Sequence, residues 1–240
     1  MGLTVVIPTY NEEGNLEPLV TELLVLPITG IKIIIIDDNS PDGTGMLADR
    51  LAVKHPGRIA VSHRAGKLGL GTAYKSGFKM ALESGADFIA QMDADFSHSP
   101  QVLPRLLDTL QSSDLVIGSR YVAGGGVDQE WPVWRKGLSA FANFYARTIL
   151  HMRVRDLTGG YRVWRREVLT AIPLQAVRSN GYGFMIETAY LAHRLGYRIR
   201  ETPIYFADRS HGRSKMSLKI QVEAALRVIM MRREYQNIGR

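Results

Sequence analysis

The feature that most restricts the fold of this 240-residue chain is a regular alternation of short apolar runs and longer helix-like segments. The run at residues 32–36, Lys-Ile-Ile-Ile-Ile, is too apolar for a strand with one face in water, so we predict a central strand of a parallel sheet. Further strands are predicted at residues 3–7, 59–63, 88–92, 115–119 and 197–206, and helices at residues 12–26, 43–55, 72–84 and 100–111. Repeated β-α units with short connections indicate an α/β fold with helices on both faces of the sheet.

The composition suits one such domain, spanning residues 1–240, because 45% of the residues are hydrophobic and 22% are charged. The absence of cysteine excludes a disulfide framework, a thiol nucleophile and a cysteine-ligated zinc site. A net charge of +7 suits nucleic acid, an anionic membrane or a phosphorylated substrate. No helix-turn-helix, zinc finger or basic run interleaved with aromatic residues is present, so we expect no nucleic-acid partner.

Two aspartates, Asp93 and Asp95, follow the apolar run at residues 88–92. Two carboxylates at the end of a buried strand are costly unless a positive group neutralises them. A divalent cation bound together with a diphosphate would do so, since Mg²⁺ takes one or two carboxylates plus substrate phosphates. Aspartate is also common in solvated turns. The pair alone leaves a nucleotide-sugar site and a simple turn equally open.

Other polar residues follow the predicted strands, where ligands of parallel sheets bind. Asp37 and Asp38 either meet a ribose or base or form a turn, and Arg120 stands where it can reach a phosphate. The glycine-rich residues 66–71 indicate a loop before a helix N-terminus, near phosphate. They are not a dinucleotide fingerprint, because Tyr74 occupies the third glycine position, and they lack the Gly-Lys-Ser/Thr of a P-loop.

Two further features have a functional and a structural interpretation. Arg209 and Lys215 lie in a basic loop that either clamps a diphosphate or is simply solvated. Glu187 is either a general base or a structural carboxylate on a helix surface, and we favour the structural role.

The second half of the chain contains two amphipathic helical segments, at residues 132–152 and 217–233. They either cover the core or lie in a membrane interface. No apolar run approaches 18 residues, so we expect no transmembrane helix, and the N-terminus lacks the features of a signal peptide.

In combination, the motifs at residues 6–12, 37–44, 69–74, 92–98 and 118–121 resemble the family 2 glycosyltransferases. Residues 157–162 and 209–215 also match the subgroup that transfers mannose to polyprenyl (dolichyl) phosphate. The resemblance covers nearly the whole chain. It implies a GT-A fold, GDP-mannose as donor, Mg²⁺ or Mn²⁺ as cofactor, and a membrane-held polyprenyl phosphate as acceptor. The acceptor phosphate needs no general base, because it is already ionised.

The resemblance also implies roles for individual residues. Nucleotide-sugar contacts are expected from Pro8, Tyr10, Glu12, Ile36, Asp38, Asp93, Ala94, Asp95, Arg120, Arg209 and Lys215. Among these, the catalytic set is Asp93, Asp95, Arg120, Arg209 and Lys215. Metal ligation is expected from Asp95, with Asp93 and Ser97 as further candidates. The acceptor phosphate is expected to meet Arg120, Arg135 and Ser139.

Two departures from the family pattern affect these expectations. Some members have Gln where Ser97 stands, and the shorter hydroxyl leaves direct metal ligation open. Some members carry C-terminal transmembrane helices, whereas no such helix is expected here. We therefore expect this chain to lie on the cytoplasmic face of a membrane, either by itself or with a separate anchor protein. Three alternatives stay open: a UDP-sugar donor, a soluble acceptor that requires a base such as Glu187, and a non-catalytic nucleotide-binding protein.

Overall fold

The computed structural model describes residues 2–207 and 218–238, with side chains for residues 2–207 and 225–238. The strands are β1 Leu3–Thr9, β2 Lys32–Asp37, β3 Ile59–His63, β4 Phe88–Gln91, β5 Leu115–Ser119, β6 Gly126–Val127, β7 Arg162–Arg165, β8 Ile199–Pro203 and β9 Tyr205–Phe206. The α-helices are α1 Glu13–Leu24, α2 Thr44–Lys54, α3 Leu70–Glu83, α4 Leu103–Leu110, α5 Val133–Ile149, α6 Arg166–Ala171, α7 Gly181–Arg194 and α8 Leu218–Glu234. Short 3-10 turns occupy Pro100–Val102 and Leu174–Ala176.

The main sheet has the strand order β3-β2-β1-β4-β7-β5-β8. Its pairs are parallel except for β7, which runs antiparallel to both β4 and β5. Strand β2 explains the isoleucine run: Ile33 and Ile35 pack into the layer formed with α1, α2 and α4, and Ile34 and Ile36 into the layer with α3, α7 and α8. The predicted α/β architecture with a mostly parallel, doubly covered sheet is confirmed.

Two sequence-based boundaries differ from the structure. Strand β7 was not predicted, because Arg-Val-Trp-Arg is only four residues long and begins and ends with a charge. The predicted strand at residues 197–206 is two strands, of which β9 leaves the main sheet and pairs with β6. The break falls after Pro203, which has no N–H to donate to a sheet ladder.

The two amphipathic helices pack on the core with part of their surface and expose large apolar side chains with another part. On α5, Ala146 is buried in the core, whereas Trp134 and Phe141 are exposed. On α8, Val228 and Met231 face the core. Large apolar side chains remain exposed on these helices at Val133, Trp134, Phe141, Phe144, Leu226, Ile229 and Met230.

Gly77 lets α3 pack directly on strand β1. A Cβ at Gly77 would overlap Cγ1 of Val6 and lie 3.3 Å from Cγ1 of Ile36. Gly77→Ala should therefore lower the free energy of unfolding by ~1–3 kcal/mol through overpacking, although alanine favours a helix over glycine by roughly 0.5–1 kcal/mol. The control is Gly137→Ala on α5, where a Cβ meets nothing within 4 Å and a small stabilisation is expected. Urea unfolding measures both, and a Gly77→Ala variant as stable as the parent contradicts this packing argument.

Candidate active site

The carboxyl ends of β1, β2 and β4 meet at one edge of the sheet and carry unusual backbone geometry. Asn11, Asn39 and Phe96 follow these three strands with φ of 60°, 57° and 61°. Non-glycine residues adopt positive φ at a cost, and such residues concentrate at functional sites. The predicted motifs therefore come together at a strained edge of the sheet.

Asp37 and Asp38, at the end of β2, have different surroundings. Asp37 accepts hydrogen bonds from Thr9 Oγ1 at 3.1 Å, from the Ser40 N–H at 3.1 Å and from Ser40 Oγ at 2.5 Å, so it forms the turn. Asp38 lies 3.0 Å from an Arg64 guanidinium nitrogen. Burial raises the pKa of Asp38, although the Arg64 charge opposes the shift. Asp37 thus has the turn-forming role. Asp38 is ion-paired with Arg64, and its contact with a nucleotide stays a prediction.

Arg64 is a site residue that sequence reasoning missed. Besides its ion pair with Asp38, it donates to Thr72 Oγ1 at 2.6 Å and to the Gly69 carbonyl at 3.4 Å. Gly69, with φ of 97°, immediately precedes α3, so the glycine-rich segment is a loop before a helix N-terminus as predicted. Arg64 therefore fixes this loop to the end of β2.

Pro8, Tyr10 and Glu12, three predicted nucleotide-sugar residues, lie at the carboxyl end of β1, beside the glycine-rich loop. Pro8 pairs in register with Ile36, whose side chain is fully buried in the core, so only the main chain of Ile36 can face a ligand. The Lys67 ammonium lies 4.1 Å from the ring centroid of Tyr10. Glu12 accepts from Asn15 Nδ2 at 2.9 Å, and its N–H donates to Thr44 Oγ1 at 2.9 Å.

The aspartate pair after β4 is held by a separate set of hydrogen bonds. Tyr74 donates its hydroxyl to Asp93 Oδ1 at 3.2 Å, and Asp95 Oδ1 accepts the Ser97 N–H at 3.1 Å. The side chain of Asp93 is 29% exposed, whereas Asp95 is 5% exposed and Ala94 is buried. Asp93 is therefore the more accessible carboxylate, and Asp95 is set deeper in the loop.

His98 is a second residue that sequence reasoning missed, and its signal is its place three residues after Asp95. Its Nδ1 accepts the Asp93 N–H at 3.0 Å, so the ring proton is on Nε2. The ring stacks on Tyr161 with centroids 5.0 Å apart. Burial lowers the pKa of His98, although the nearby carboxylates Asp93 and Asp95 oppose the shift. His98 therefore shapes the aspartate loop as a neutral side chain.

The aspartate loop fits a divalent cation that is completed by substrate. Asp93 and Asp95 supply hard oxygen donors, and the buried hydroxyl of Ser97 makes no hydrogen bond within the described residues. The described part of the chain contains no group of three or more His, Cys, Asp or Glu side chains that would form a protein-only metal cage. This donor set suits Mg²⁺ or Mn²⁺, which bind through one or two carboxylates together with substrate phosphates.

Arg120 follows β5 as predicted, but its guanidinium forms an ion pair inside the protein. Its Nε and Nη2 each donate to Asp156 at 2.7 Å, and Nη2 also donates to Thr158 Oγ1 at 2.7 Å. The pair is buried, and the Arg120 charge holds the pKa of Asp156 below its usual value against the opposing effect of burial. Most donors of Arg120 are thus directed into the protein, and its contact with a phosphate stays a prediction.

The remaining predicted residues fall in two places. On α5, the Arg135 guanidinium lies 3.6 Å from the centroid of the Trp131 ring, and Ser139 Oγ accepts the Tyr121 hydroxyl at 2.7 Å. Arg209 and Lys215 lie outside the described residues.

Glu187 is fully buried, which corrects its placement on a helix surface. Its carboxylate accepts from the Ser179 N–H at 2.9 Å, from Arg227 at 2.8 Å and from the Tyr235 hydroxyl at 2.5 Å. Burial raises its pKa, but these donors outweigh burial and lower it overall. The carboxylate ties α7 to α8, so the structural role favoured from the sequence agrees with its contacts.

The mostly parallel sheet with helices on both faces is the GT-A fold of glycosyltransferases. More specifically, the chain belongs to glycosyltransferase family 2, whose family model, Glycosyl transferase family 2, matches residues 4–172. Both the fold and the family inferred from the motifs are thereby confirmed.

The chain is also similar to individual proteins. It is 49% identical over 214 residues to polyprenol monophosphomannose synthase of Mycolicibacterium smegmatis, covering 89% of this chain and 80% of that protein. It is 45% identical over 228 residues to undecaprenyl-phosphate mannosyltransferase of Micrococcus luteus, covering 95% and 93%. Its fold matches glucosyl-3-phosphoglycerate synthase from Mycobacterium tuberculosis, solved with Mn²⁺, UDP and phosphoglyceric acid, with a TM-score of 0.67, 20% identity and coverage of 98% and 78%.

Proposed function

We propose that this chain transfers a mannosyl group to the phosphate of a polyprenyl phosphate, with residues 1–240 acting as one catalytic domain. The observation that carries the proposal is the identity of 45–49%, over most of the chain, to proteins named for mannosyl transfer to such lipids. The aspartate loop at the carboxyl edge of the sheet supports it, because its oxygen donors suit a cation and a diphosphate.

The proposed donor is GDP-mannose. Its nucleoside would lie against Pro8, Tyr10, Glu12 and Asp38, with its diphosphate near Asp93 and Asp95 and within reach of Arg209 and Lys215. Asp95 would hold Mg²⁺ or Mn²⁺, together with Asp93 and Ser97. A bound divalent cation would supply charge neutralisation for the departing diphosphate.

The chemistry requires no protein base. A phosphate monoester is largely ionised near pH 7, so an acceptor oxygen is already a nucleophile. It forms a bond to the anomeric carbon of mannose while the bond to the diphosphate oxygen breaks and GDP leaves, which gives a β-linked product. The protein contributes orientation and charge compensation for two anions. The Glu187 carboxylate accepts hydrogen bonds from Arg227 and Tyr235, which agrees with a reaction that needs no general base.

The acceptor is a lipid, so the chain must meet a membrane surface. The exposed apolar residues of α5 and α8 provide a face for that contact, with Trp134 and Phe141 prominent on α5. No helix in the described residues combines the length and apolar character needed to cross a bilayer. We place the protein on the cytoplasmic face, either by itself or with a separate membrane-anchor protein.

A donor panel tests this proposal. The purified chain is given a short polyprenyl phosphate in detergent and, in turn, labelled GDP-mannose, UDP-glucose and UDP-N-acetylglucosamine. We expect a kcat/KM for GDP-mannose that is larger than the others by at least about 100-fold, because a base pocket rejects a donor that leaves its polar groups unpaired. Preference for a UDP-sugar would overturn the donor assignment, and no transfer from any donor would favour a non-catalytic nucleotide-binding protein.

Arg135→Ala should weaken use of the acceptor more than use of the donor. The guanidinium packs on Trp131 at the start of α5, where the acceptor phosphate is proposed to bind. Loss of one charged hydrogen-bond donor should raise the KM for polyprenyl phosphate by about 10- to 100-fold, with little change in the KM for GDP-mannose. Lys136→Ala, one residue along the helix, is the control. Equal changes in both KM values would contradict the assignment of Arg135.

A further inference from the structure

We propose that a groove beside α5 binds the headgroup of an anionic phospholipid, at a site separate from the acceptor phosphate. The groove is open to solvent and has a volume of about 380 Å³. It is lined by Tyr121, Ala140, Asn143, Phe144, Arg147 and Arg155. The proposal rests on the membrane contact proposed above and adds the class of lipid and the place where it binds.

The charge of the groove suits a phosphodiester. Within the described residues, neither the Arg147 nor the Arg155 guanidinium forms an ion pair with a carboxylate. The carboxylate of Glu201 contacts the main chain beside the groove. Its oxygens accept the main-chain N–H groups of Arg155 and Asp156 at 2.8 and 2.9 Å. Asp156 is itself engaged by Arg120. Two guanidinium groups that form no ion pair among the described residues are a donor set that matches phosphate geometry.

The position of the groove favours a lipid over a free anion. Phe144 lines the groove and, at 55% exposure, also belongs to the exposed apolar face of α5 together with Trp134 and Phe141. The Arg147 guanidinium lies 5.6 Å from the centroid of the Phe144 ring. Arginine beside an exposed aromatic ring places a cation at headgroup depth while the ring enters the apolar layer. A phospholipid satisfies both parts, because its phosphate meets the arginines and its acyl chains meet the apolar face.

The arginine end of the groove lies away from Arg135, whereas Tyr121 and Ala140 at its other end adjoin Ser139, a proposed acceptor contact. Arg147 follows Arg135 by 12 residues on the same helix, which places the two backbone positions about 18 Å apart at a rise of 1.5 Å per residue. Ser139, between them, is bonded to Tyr121. The two arginines therefore start from different ends of α5, and the KM of the groove variant for polyprenyl phosphate decides whether they serve different phosphates.

The test is co-sedimentation of the full chain with phosphatidylcholine vesicles, with and without 30% phosphatidylglycerol. We expect the parent to bind the anionic vesicles at least tenfold more strongly, and Arg147→Gln/Arg155→Gln to lose most of that difference. Arg50→Gln/Lys54→Gln on α2, in the opposite helix layer, removes the same charge and should bind like the parent. An equal loss in both double variants would overturn the site, because net charge alone would then explain the binding.

Two further arms identify the ligand. Inorganic phosphate, at the phosphate concentration of the vesicles, should not displace the protein, and displacement would point to a free-phosphate site instead. The KM for detergent-dispersed polyprenyl phosphate should be the same in Arg147→Gln/Arg155→Gln and the parent, whereas a raised KM would assign the groove to the acceptor. A parent that transfers mannose in detergent but binds no vesicle would refute the headgroup site while leaving the proposed transfer reaction standing.

Discussion

Asp95→Asn is expected to lower mannosyl transfer by about 10³-fold or more, since a catalytic divalent cation contributes several kcal/mol of charge stabilisation. The amide keeps the shape of the side chain and an oxygen that can still accept the Ser97 N–H, so the loop should persist. What disappears is the negative charge that a hard cation requires. Turnover is measured with saturating GDP-mannose and polyprenyl phosphate across a range of Mn²⁺ concentrations.

The control for this variant is Asp108→Asn on α4, an exposed aspartate away from the carboxyl edge of the sheet. It should retain the parent rate, and both variants should show the thermal unfolding of the parent within a few degrees. An Asp95→Asn enzyme with near-normal turnover at low Mn²⁺ would remove Asp95 from the metal site.

Asp156→Ala is expected to cost about 3–5 kcal/mol of unfolding free energy, which is the range for breaking a buried ion pair from one side. Arg120 would keep its charge in a buried position and lose both carboxylate oxygens. Removing both partners, as Arg120→Met/Asp156→Leu, should recover most of the loss. The control is Glu17→Ala, which breaks the exposed pair with Lys54 and should cost no more than about 1 kcal/mol.

The ion pair of Arg120 and Asp156 should also make the free energy of unfolding depend on pH. The folded pKa of Asp156 is lowered, so its contribution is present above the unfolded value of about 3.9 and is lost as the pH falls through the folded value. The stability difference between the parent and Asp156→Ala should therefore be full near pH 7 and shrink in acid. Urea unfolding between pH 7 and pH 3 measures it. A difference that grows in acid, or a double variant no more stable than Asp156→Ala, would contradict the ion-pair account.

The sheet was predictable because its strands carry a strong local signal. A buried parallel strand such as β2 is apolar on both faces, and residues that follow such strands must meet at one edge. That reasoning predicts Asp38, Asp93 and Asp95 at one edge, where the structure has them. Strand β7 carries no such signal, because its place between β4 and β5 is set by long-range pairing.

The site was less predictable where its side chains contact residues that are distant in the sequence. Arg120 was predicted to reach a phosphate, and its ion pair with Asp156 was not foreseen because the two residues are 36 positions apart in the chain. Arg64 reaches Asp38 from the end of another strand, and nothing in the sequence near either residue indicates the contact. Glu187 was ambiguous for the same reason, since Arg227 approaches it from α8. A motif specifies which residue types follow a strand, but only packing decides which of them turn inward.

The measurement that tests the account most directly is transfer of labelled mannose from GDP-mannose to a short polyprenyl phosphate, followed by phase separation, with Mg²⁺ or Mn²⁺ and with EDTA. The account predicts label in the lipid phase that depends on the purified chain, is abolished by EDTA and is restored by excess metal. Label that stays in the aqueous phase under every metal condition would contradict it, as would transfer that is indifferent to EDTA.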